Sequence, residues 1–285
     1  MLMNALTDGY SLSNGVQIPC IGFGTWGMPE GEGAVSTILS AMEAGYRHID
    51  TAQGYFNEDK VGRAIQKSGL RRRELFITSK LMTSEHGYEK TLAAFERSLE
   101  QLGTDYLDLF LIHWPNPIAF RGCWEEANAG TWRAFEELYR AGRVRAIGIS
   151  NFRRHHMEAL LKTAEVVPMV HQIRLCPGDT QDEVAAFSRF HGMLLEAYSP
   201  LGGGGIFEVP QMQALAEKHG RSVAQICVRW SLECGWLPLP RSVSPARIRA
   251  NAEVFDFRLE PEDIRLLADL KGCVGYSTDP DTITW

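Results

Sequence analysis

The feature that most constrains this chain is an alternation repeated eight times: a short apolar run rich in β-branched residues, then a longer segment of helical period. The runs are Ile21 to Gly24, Arg47 to Thr51, Leu75 to Lys80, Leu107 to His113, Val144 to Ser150, Met169 to Leu175, Leu194 to Tyr198 and Trp236 to Pro240. Between them apolar residues fall three or four apart, as at Leu92, Phe95, Leu99 and Leu102, so each intervening helix has one face to lay on a sheet. Strands and helices in strict alternation give a parallel sheet, and eight such units close into a single (β/α)8 barrel of the α/β class. A chain of 285 residues fills that barrel without a partner domain. No linker or composition shift divides residues 1–285, and the glycine cluster Gly202 to Gly205 falls inside the pattern.

Two segments sit outside the repeat. Tyr10 to Ile18 alternates about Asn14-Gly15, a dipeptide suited to a tight turn, and predicts a hairpin over 9–18 that plugs the barrel bottom. Residues 115–131 carry Pro, Gly, Asn and Trp124 without clear period, which predicts a long loop over the barrel mouth. The tail, 272–285, is expected beside the same mouth.

Composition excludes several classes of function. With 45% apolar and 22% charged residues the chain can bury a full core. Its 29 basic and 35 acidic side chains are interspersed, leaving a net charge of -6 and no basic run to grip a nucleic acid or an anionic membrane. Met1 to Asp8 lacks the basic start and apolar core of a signal peptide, and no stretch reaches the length of a membrane span. Six cysteines (Cys20, Cys123, Cys176, Cys227, Cys234 and Cys273) stand singly, with no metal-knuckle or disulfide-framework spacing. The expectation is a cytoplasmic monomer with reduced thiols and no metal.

The working residues of such a barrel lie where strands end at the C-terminal face. Here the second run closes on Asp50-Thr51 with Tyr55 just beyond, the third on Lys80, the fourth on His113 and the fifth on Ser150-Asn151. The sixth carries Gln172, and the seventh ends Tyr198-Ser199-Pro200. A single charged strand end is usually a solvated rim residue. An acid, a base and an imidazole closing three successive strands beside a tyrosine point to proton chemistry.

Proton delivery to an oxygen needs a donor already in place. A free tyrosine, with a pKa of about 10, is a reluctant donor. A lysine beside it stabilises the phenolate and is expected to lower that pKa, and an aspartate keeps the lysine charged and aimed.

The segments Asp50-Thr51-Ala52-Gln53-Gly54-Tyr55-Phe56-Asn57-Glu58, Ile77-Thr78-Ser79-Lys80-Leu81 and Leu111-Ile112-His113-Trp114-Pro115 resemble the catalytic segments of the aldo-keto reductase family. Gly148-Ile149-Ser150-Asn151-Phe152, Ala197-Tyr198-Ser199-Pro200-Leu201 and Pro240-Arg241-Ser242-Val243 resemble its cofactor segments. The short tail is similar to that of the bacterial, diketogluconate-reductase-like branch. The resemblance implies NADPH-dependent reduction of an aldehyde or ketone. Its catalytic tetrad would be Asp50, Tyr55, Lys80 and His113, with Tyr55 as general acid and His113 orienting the carbonyl.

The resemblance also implies a cofactor set. Gly24, Thr25 and Trp26 would lie near the nicotinamide ribose with Asp50, while Ser150, Asn151 and Gln172 would hold the carboxamide and Tyr198 would stack on the ring. Ser199, Leu201 and Gly203 would meet the pyrophosphate through backbone N–H groups. Gly22-Phe23-Gly24 lacks the further glycine and helix of a Rossmann turn, so binding falls to the barrel rim. Arg241, Ser242 and Arg247 place two guanidinium groups and a hydroxyl within reach of one phosphate, which favours NADP over NAD. Asn251 would contact the adenine.

For the substrate, a small carbonyl compound, Trp26, Tyr55, Phe56, His113, Trp114 and Trp124 form the expected lining, mostly aromatic and broad in specificity. The chain departs from the family's habits at His171-Gln172-Ile173-Arg174, at Cys176-Pro177 and at Ala250, all on the cofactor side. Two other readings stand beside this one. A nucleotide-binding regulatory barrel would have lost part of the tetrad, and a metal-dependent hydrolase would need histidines with ligand spacing, which His48, His113 and His171 lack.

Overall fold

The computed structural model describes residues 3–285. Two short strands, β1 (Gly9–Ser11) and β2 (Gln17–Pro19), pair antiparallel with Tyr10 opposite Ile18. Eight more follow: β3 (Gly22–Gly24), β4 (His48–Asp50), β5 (Phe76–Leu81), β6 (Leu107–Ile112), β7 (Val144–Ser150), β8 (Val170–Arg174), β9 (Leu194–Tyr198) and β10 (Leu237–Leu239). Each of these is parallel to the next in chain order. The ring closes where Gly24 N–H donates to Pro240 O at 3.2 Å.

One helix follows each of the first six barrel strands: α1 (Glu32–Glu43), α2 (Glu58–Ser68), α3 (Tyr88–Leu102), α4 (Trp124–Arg140), α5 (Arg154–Leu161) and α6 (Asp182–Phe190). After β9 come α7 (Pro210–His219) and α8 (Val223–Glu233), and after β10 come α9 (Pro245–Ala252) and α10 (Pro261–Asp269). The expected (β/α)8 barrel is the fold observed. Several strands, β6 among them, end a residue inside their apolar runs, so His113 lies just past β6 rather than in it.

Alternation along each strand sorts side chains between barrel interior and helix layer. On β6, Phe110 faces outward and is gripped between Phe95 of α3 (ring centroids 5.3 Å apart) and Phe135 of α4 (4.7 Å). Part of the interior is polar. Register pairs His48 and Asp50 with Phe76 and Thr78, and Gln172 with both Ser150 and Glu196, so a belt of polar groups lines the inner wall below the mouth.

The hairpin caps the other end. Tyr10 OH donates to Trp236 O at 3.1 Å and Asn14 Nδ2 to Arg145 O at 2.9 Å, both acceptors lying where β10 and β7 begin.

The loop expected over 115–131 is shorter than its composition suggests. A single 3-10 turn spans Ile118–Phe120, and α4 takes over at Trp124. Glu125 and Glu126 in the first turn suit a helix N-terminus. Gly130, which reads as a loop residue, sits inside the helix, where a Cβ would come 3.3 Å from Tyr88 N and the close approach of that backbone favours glycine.

Closure of the barrel leaves Gly22 without side-chain space: a Cβ would stand 2.5 Å from Leu239 Cδ2 and 2.6 Å from His48 Nδ1. Gly22→Ala is therefore expected to cost about 1–3 kcal/mol of stability by overpacking, seen as a lower denaturation midpoint at unchanged slope. An unchanged midpoint would show that the closing strand yields freely.

Candidate active site

The C-terminal ends of β4 and β5 assemble one compact polar group. Beyond Asp50 the chain makes a 3-10 turn, Gln53–Tyr55, and leaves it through Phe56 in the left-handed region (φ 54°). The Gln53 side chain ties that turn down: Nε2 donates to Ala94 O and Ser98 Oγ, both at 2.8 Å, and Oε1 accepts from Met82 N–H at 2.7 Å. Buried Asn57 joins the neighbouring loops, donating to Thr25 O at 2.8 Å and accepting from Thr51 Oγ1 at 2.6 Å. Together these hold Tyr55 at the mouth.

Below it, Lys80 is wholly buried. Its Nζ donates to Asp50 Oδ1 at 2.7 Å, Thr51 O at 2.9 Å and Tyr55 OH at 3.2 Å. Asp50 is fixed on its other sides, with Gln172 Nε2 donating to Oδ2 at 2.8 Å and Thr25 N–H and Oγ1 donating to its carbonyl at 3.0 and 2.9 Å. The His113 ring stands edge-on to Tyr55, centroids 5.6 Å apart. Asn151 braces it, donating to His113 O at 3.0 Å while its Oδ1 accepts from Tyr198 OH at 2.8 Å. The structure thus brings Asp50, Tyr55, Lys80 and His113 into one constellation.

Electrostatics assigns charges to these groups. Burial works against the Lys80 ammonium, but Asp50 and Tyr55 outweigh it and its pKa is raised. Burial raises the Tyr55 phenol, and Lys80 pulls it back only in part. The expectation that lysine lowers the tyrosine pKa is therefore corrected in its net direction, because desolvation of the phenolate is the larger effect. Burial, then Lys80, hold His113 well below the ordinary imidazole value, so the ring is neutral. Since the ammonium donates to the phenol oxygen, the phenol hydrogen is left to point outward. The arrangement offers a proton, a cation to stabilise the charge left behind, and a neutral imidazole at its side.

The chain matches the model of the Aldo/keto reductase family over residues 20–271. It is 44% identical to the glyoxal reductase of Bacillus subtilis over 98% of both chains. To the 9,11-endoperoxide prostaglandin H2 reductase of Trypanosoma cruzi it is 42% identical, over 98% of this chain and 97% of that one. A solved structure of a Gox0644 variant in complex with NADPH superimposes with a TM-score of 0.90 at 35% identity, over 98% of this chain and 99% of the other.

The chain belongs to the aldo/keto reductase family. As a member it is an NADP-dependent oxidoreductase that reduces small carbonyl compounds with NADPH.

The other residues expected to meet the cofactor lie on the same rim. Gly24, Thr25 and Trp26 lead out of β3, Ser150 and Asn151 end β7, and Ser199, Leu201 and Gly203 follow β9. Asn151 and Ser199 hold positive φ (62° and 47°), a conformation non-glycine residues adopt at a cost and one that gathers at functional sites. At the start of α9, Ser244 makes no side-chain cap and Pro245 carries no N–H, so the uncapped amides of the first turn are those of Ala246 and Arg247. Arg247 there is exposed and has no ion-pair partner among the described residues, and Asn251 follows it by one turn. Arg241 donates to Gly27 O, and Ser242 Oγ accepts from Ser244 N–H at 3.2 Å. Uncapped amides beside unneutralised guanidinium groups fit an anionic phosphate.

The aromatic lining is partly rearranged. Trp26 and Phe56 are 69% and 74% exposed at the mouth. The ring that meets Trp114 is the tail's Trp285, at 5.7 Å, whereas Trp124 packs edge-on against His155 and His156 at 5.9 and 4.8 Å. The tail is pinned through Asp281, which accepts from Asn116 Nδ2 at 2.7 Å and lies 3.2 and 3.0 Å from the Nε2 atoms of His155 and His156. Arg174, a departure from the family pattern on the cofactor side, pairs with Asp179 at 2.6 Å and donates to Val274 O and Gly275 O, both at 2.9 Å. It serves the tail. Among the described residues, the groups able to converge on an ion, His155/His156/Asp281 and Glu260/Glu262/Asp263, include no tetrad member.

Sequence reasoning expected the tail, with Trp285, beside the mouth but gave no individual role to Gln53, Asn57 or Asp281. Asn57→Ala removes two buried hydrogen bonds that lock the Tyr55 loop and is expected to cost about 2–4 kcal/mol, with a matching fall in turnover. Wild-type melting and turnover would show that the loop holds without it.

Proposed function

We propose that Tyr55 is the proton donor of this reductase, and the observation that carries the reading is the Lys80 Nζ to Tyr55 OH contact at 3.2 Å, backed by Asp50 at 2.7 Å. When bound, NADPH supplies the hydride to the carbonyl carbon. Tyr55 gives its proton to the carbonyl oxygen, and Lys80 stabilises the phenolate left behind. Neutral His113 orients the carbonyl through an N–H hydrogen bond rather than as an acid. Asp50 keeps the lysine charged and in place.

The cofactor lies across the rim in this reading, with Ser150, Asn151 and Gln172 on the carboxamide, Tyr198 stacked on the ring, and Gly24, Thr25 and Trp26 beside the ribose. Ser199, Leu201 and Gly203 take the pyrophosphate, Arg241, Ser242 and Arg247 the 2'-phosphate, and Asn251 the adenine. Substrates are apolar or aromatic carbonyls bound through area against Trp26, Phe56, Trp114 and Trp285. The whole chain works as one domain, a monomer in the cytoplasm. The cytoplasmic part of that assignment is supported by six free thiols.

The test follows loss of NADPH absorbance with an activated aromatic aldehyde. Tyr55→Phe is expected to lower kcat by about 10²–10⁴-fold while leaving NADPH binding intact. Turnover that survives the substitution would remove Tyr55 from the reaction, and binding without turnover on any carbonyl would favour a regulatory barrel. Arg247→Ala is expected to weaken NADPH by about tenfold, the worth of one charge-assisted contact of about 1.4 kcal/mol, and to leave NADH unchanged. Equal losses for both dinucleotides would place the 2'-phosphate elsewhere.

Because His113 is held neutral far below its ordinary range, the rate should show no inflection between pH 6 and 7, where an ordinary histidine near 6.5 titrates. A step there that disappears in His113→Gln would contradict the neutral-donor role.

A further inference from the structure

A charged residue stands in the middle of an apolar strand: Glu196 of β9, flanked by Leu195 and Ala197. Register sets it beside Gln172 on β8 and Leu237 on β10, on the inner wall, and it is fully buried. Gln172 Nε2 lies 2.8 Å from Glu196 Oε2 and 2.8 Å from Asp50 Oδ2. An amide nitrogen carries two hydrogens, so the two carboxyl groups use both and turn the amide carbonyl the other way. Among the described residues none donates to that Oε1.

The groups facing Glu196 leave it without a counter-charge. All three Lys80 hydrogens are committed to Asp50, Thr51 and Tyr55. His48 Nε2 is 3.8 Å from Glu196 Oε1, but it is bonded to Thr78 Oγ1 at 2.9 Å, and burial, then Lys80, hold its pKa at about 3. Burial, then the neighbouring Asp50 charge, push Glu196 up to about 8, only partly offset by Gln172 and Lys80. At neutral pH the acid is therefore protonated. Because Oε2 accepts from Gln172, the proton belongs on Oε1, which together with His48 Nδ1 has no hydrogen-bond partner.

We propose that Glu196 is a positioning residue for the dinucleotide: with Asp50 it fixes the Gln172 amide so that Oε1 faces the nicotinamide carboxamide, and through its proton it biases the site between reduced and oxidised cofactor. The proposal rests on the reading of Gln172 as a carboxamide partner. Loss of the proton adds a second negative charge beneath the ring. The oxidised nicotinamide is cationic and gains from that charge, whereas the reduced ring is neutral and does not. By linkage, binding of the oxidised form must in turn favour release of the proton.

Equilibrium titration of NADP+ and NADPH, followed by tryptophan fluorescence at pH 6.5 and 9, tests this in the wild type, Glu196→Gln and Glu196→Leu. Taking the ratio of the two dissociation constants cancels the titration of the 2'-phosphate, which both forms share. In the wild type the ratio of the NADP+ to the NADPH constant should fall about three- to tenfold as pH rises, the size expected of one added charge at several ångströms in a medium of intermediate dielectric. In Glu196→Gln, which keeps an acceptor but cannot ionise, it should stay flat. Glu196→Leu frees the amide and should weaken both forms at either pH.

A cofactor-free readout accompanies these. The folded-state pKa lies above the ordinary carboxyl value, so this group's contribution to stability is complete below about 4.5 and is lost as pH rises through about 8. The melting temperature of Glu196→Gln should therefore gain on the wild type by a few degrees between pH 5 and 9. A wild-type ratio independent of pH, or one that moves equally in Glu196→Gln, overturns the proposal. Failure of the wild type to bind either nucleotide would instead overturn the cofactor reading on which it rests.

Discussion

An ammonium group sealed inside a barrel is costly to keep charged, and much of this site can be understood as what Lys80 requires. Each of its three hydrogens has an acceptor within 3.2 Å, drawn from Asp50, Thr51 and Tyr55. Removing one partner from such a buried pair leaves an uncompensated charge at a cost of about 3–5 kcal/mol, so the geometry is enforced by stability as well as by chemistry. That enforcement spreads outward. Asp50 needs further donors on its free oxygen and carbonyl, which recruits Gln172 and Thr25. Asn57 then ties Thr25 to the tyrosine loop. A single buried cation thereby fixes the relative positions of β3, β4, β5 and β8 at the mouth.

Rigid strands alone do not place the side chains that close the rim. Phe56, Asn151 and Ser199 all take positive φ, and each follows a strand or turn whose last polar group faces the site. Conformations of that kind cost of order 1–3 kcal/mol each and persist where the surroundings pay back more. At Asn151 the repayment is visible, since one side chain is held by Tyr198 and braces the His113 carbonyl. The same turn that strains the backbone aligns the ring against Tyr55.

The barrel and its polar mouth were legible because both rest on local pattern. Apolar runs broken by helical period give strand count and order, and residues that close those runs must lie on one face of the closed sheet. Tyr55 was findable because it follows Asp50 by one turn. What escaped depends on distance in sequence. Asp281 matters only because folding brings it to Asn116, His155 and His156, and although the tail was expected at the mouth, the pairing of Trp285 with Trp114 was not. Trp124 was placed in the lining for its type and its position in an aperiodic stretch, yet that stretch is the first turn of α4 and turns the indole toward α5. The sign of the Tyr55 shift also lay beyond sequence, because a lysine neighbour can be read from spacing but the depth of burial opposing it cannot. Glu196 did leave a signal, an acid inside an apolar strand, though its meaning required knowing what stands opposite.

The site is graded from its floor to its mouth. The floor holds Asp50, Lys80, Gln172, His48 and Glu196, buried groups whose hydrogen bonds leave little freedom. The mouth carries Trp26, Phe56 and Trp285, more than half exposed and held by few polar contacts. Chemistry at a carbonyl needs tenths of an ångström at one oxygen, which a charged, desolvated network supplies, whereas the rest of a substrate needs only apolar area. A member of this family built in that way fixes the reacting atoms tightly and the remainder loosely. Differences in substrate preference among such barrels can then arise at the tail and the first loops without disturbing the buried cation on which the reaction depends.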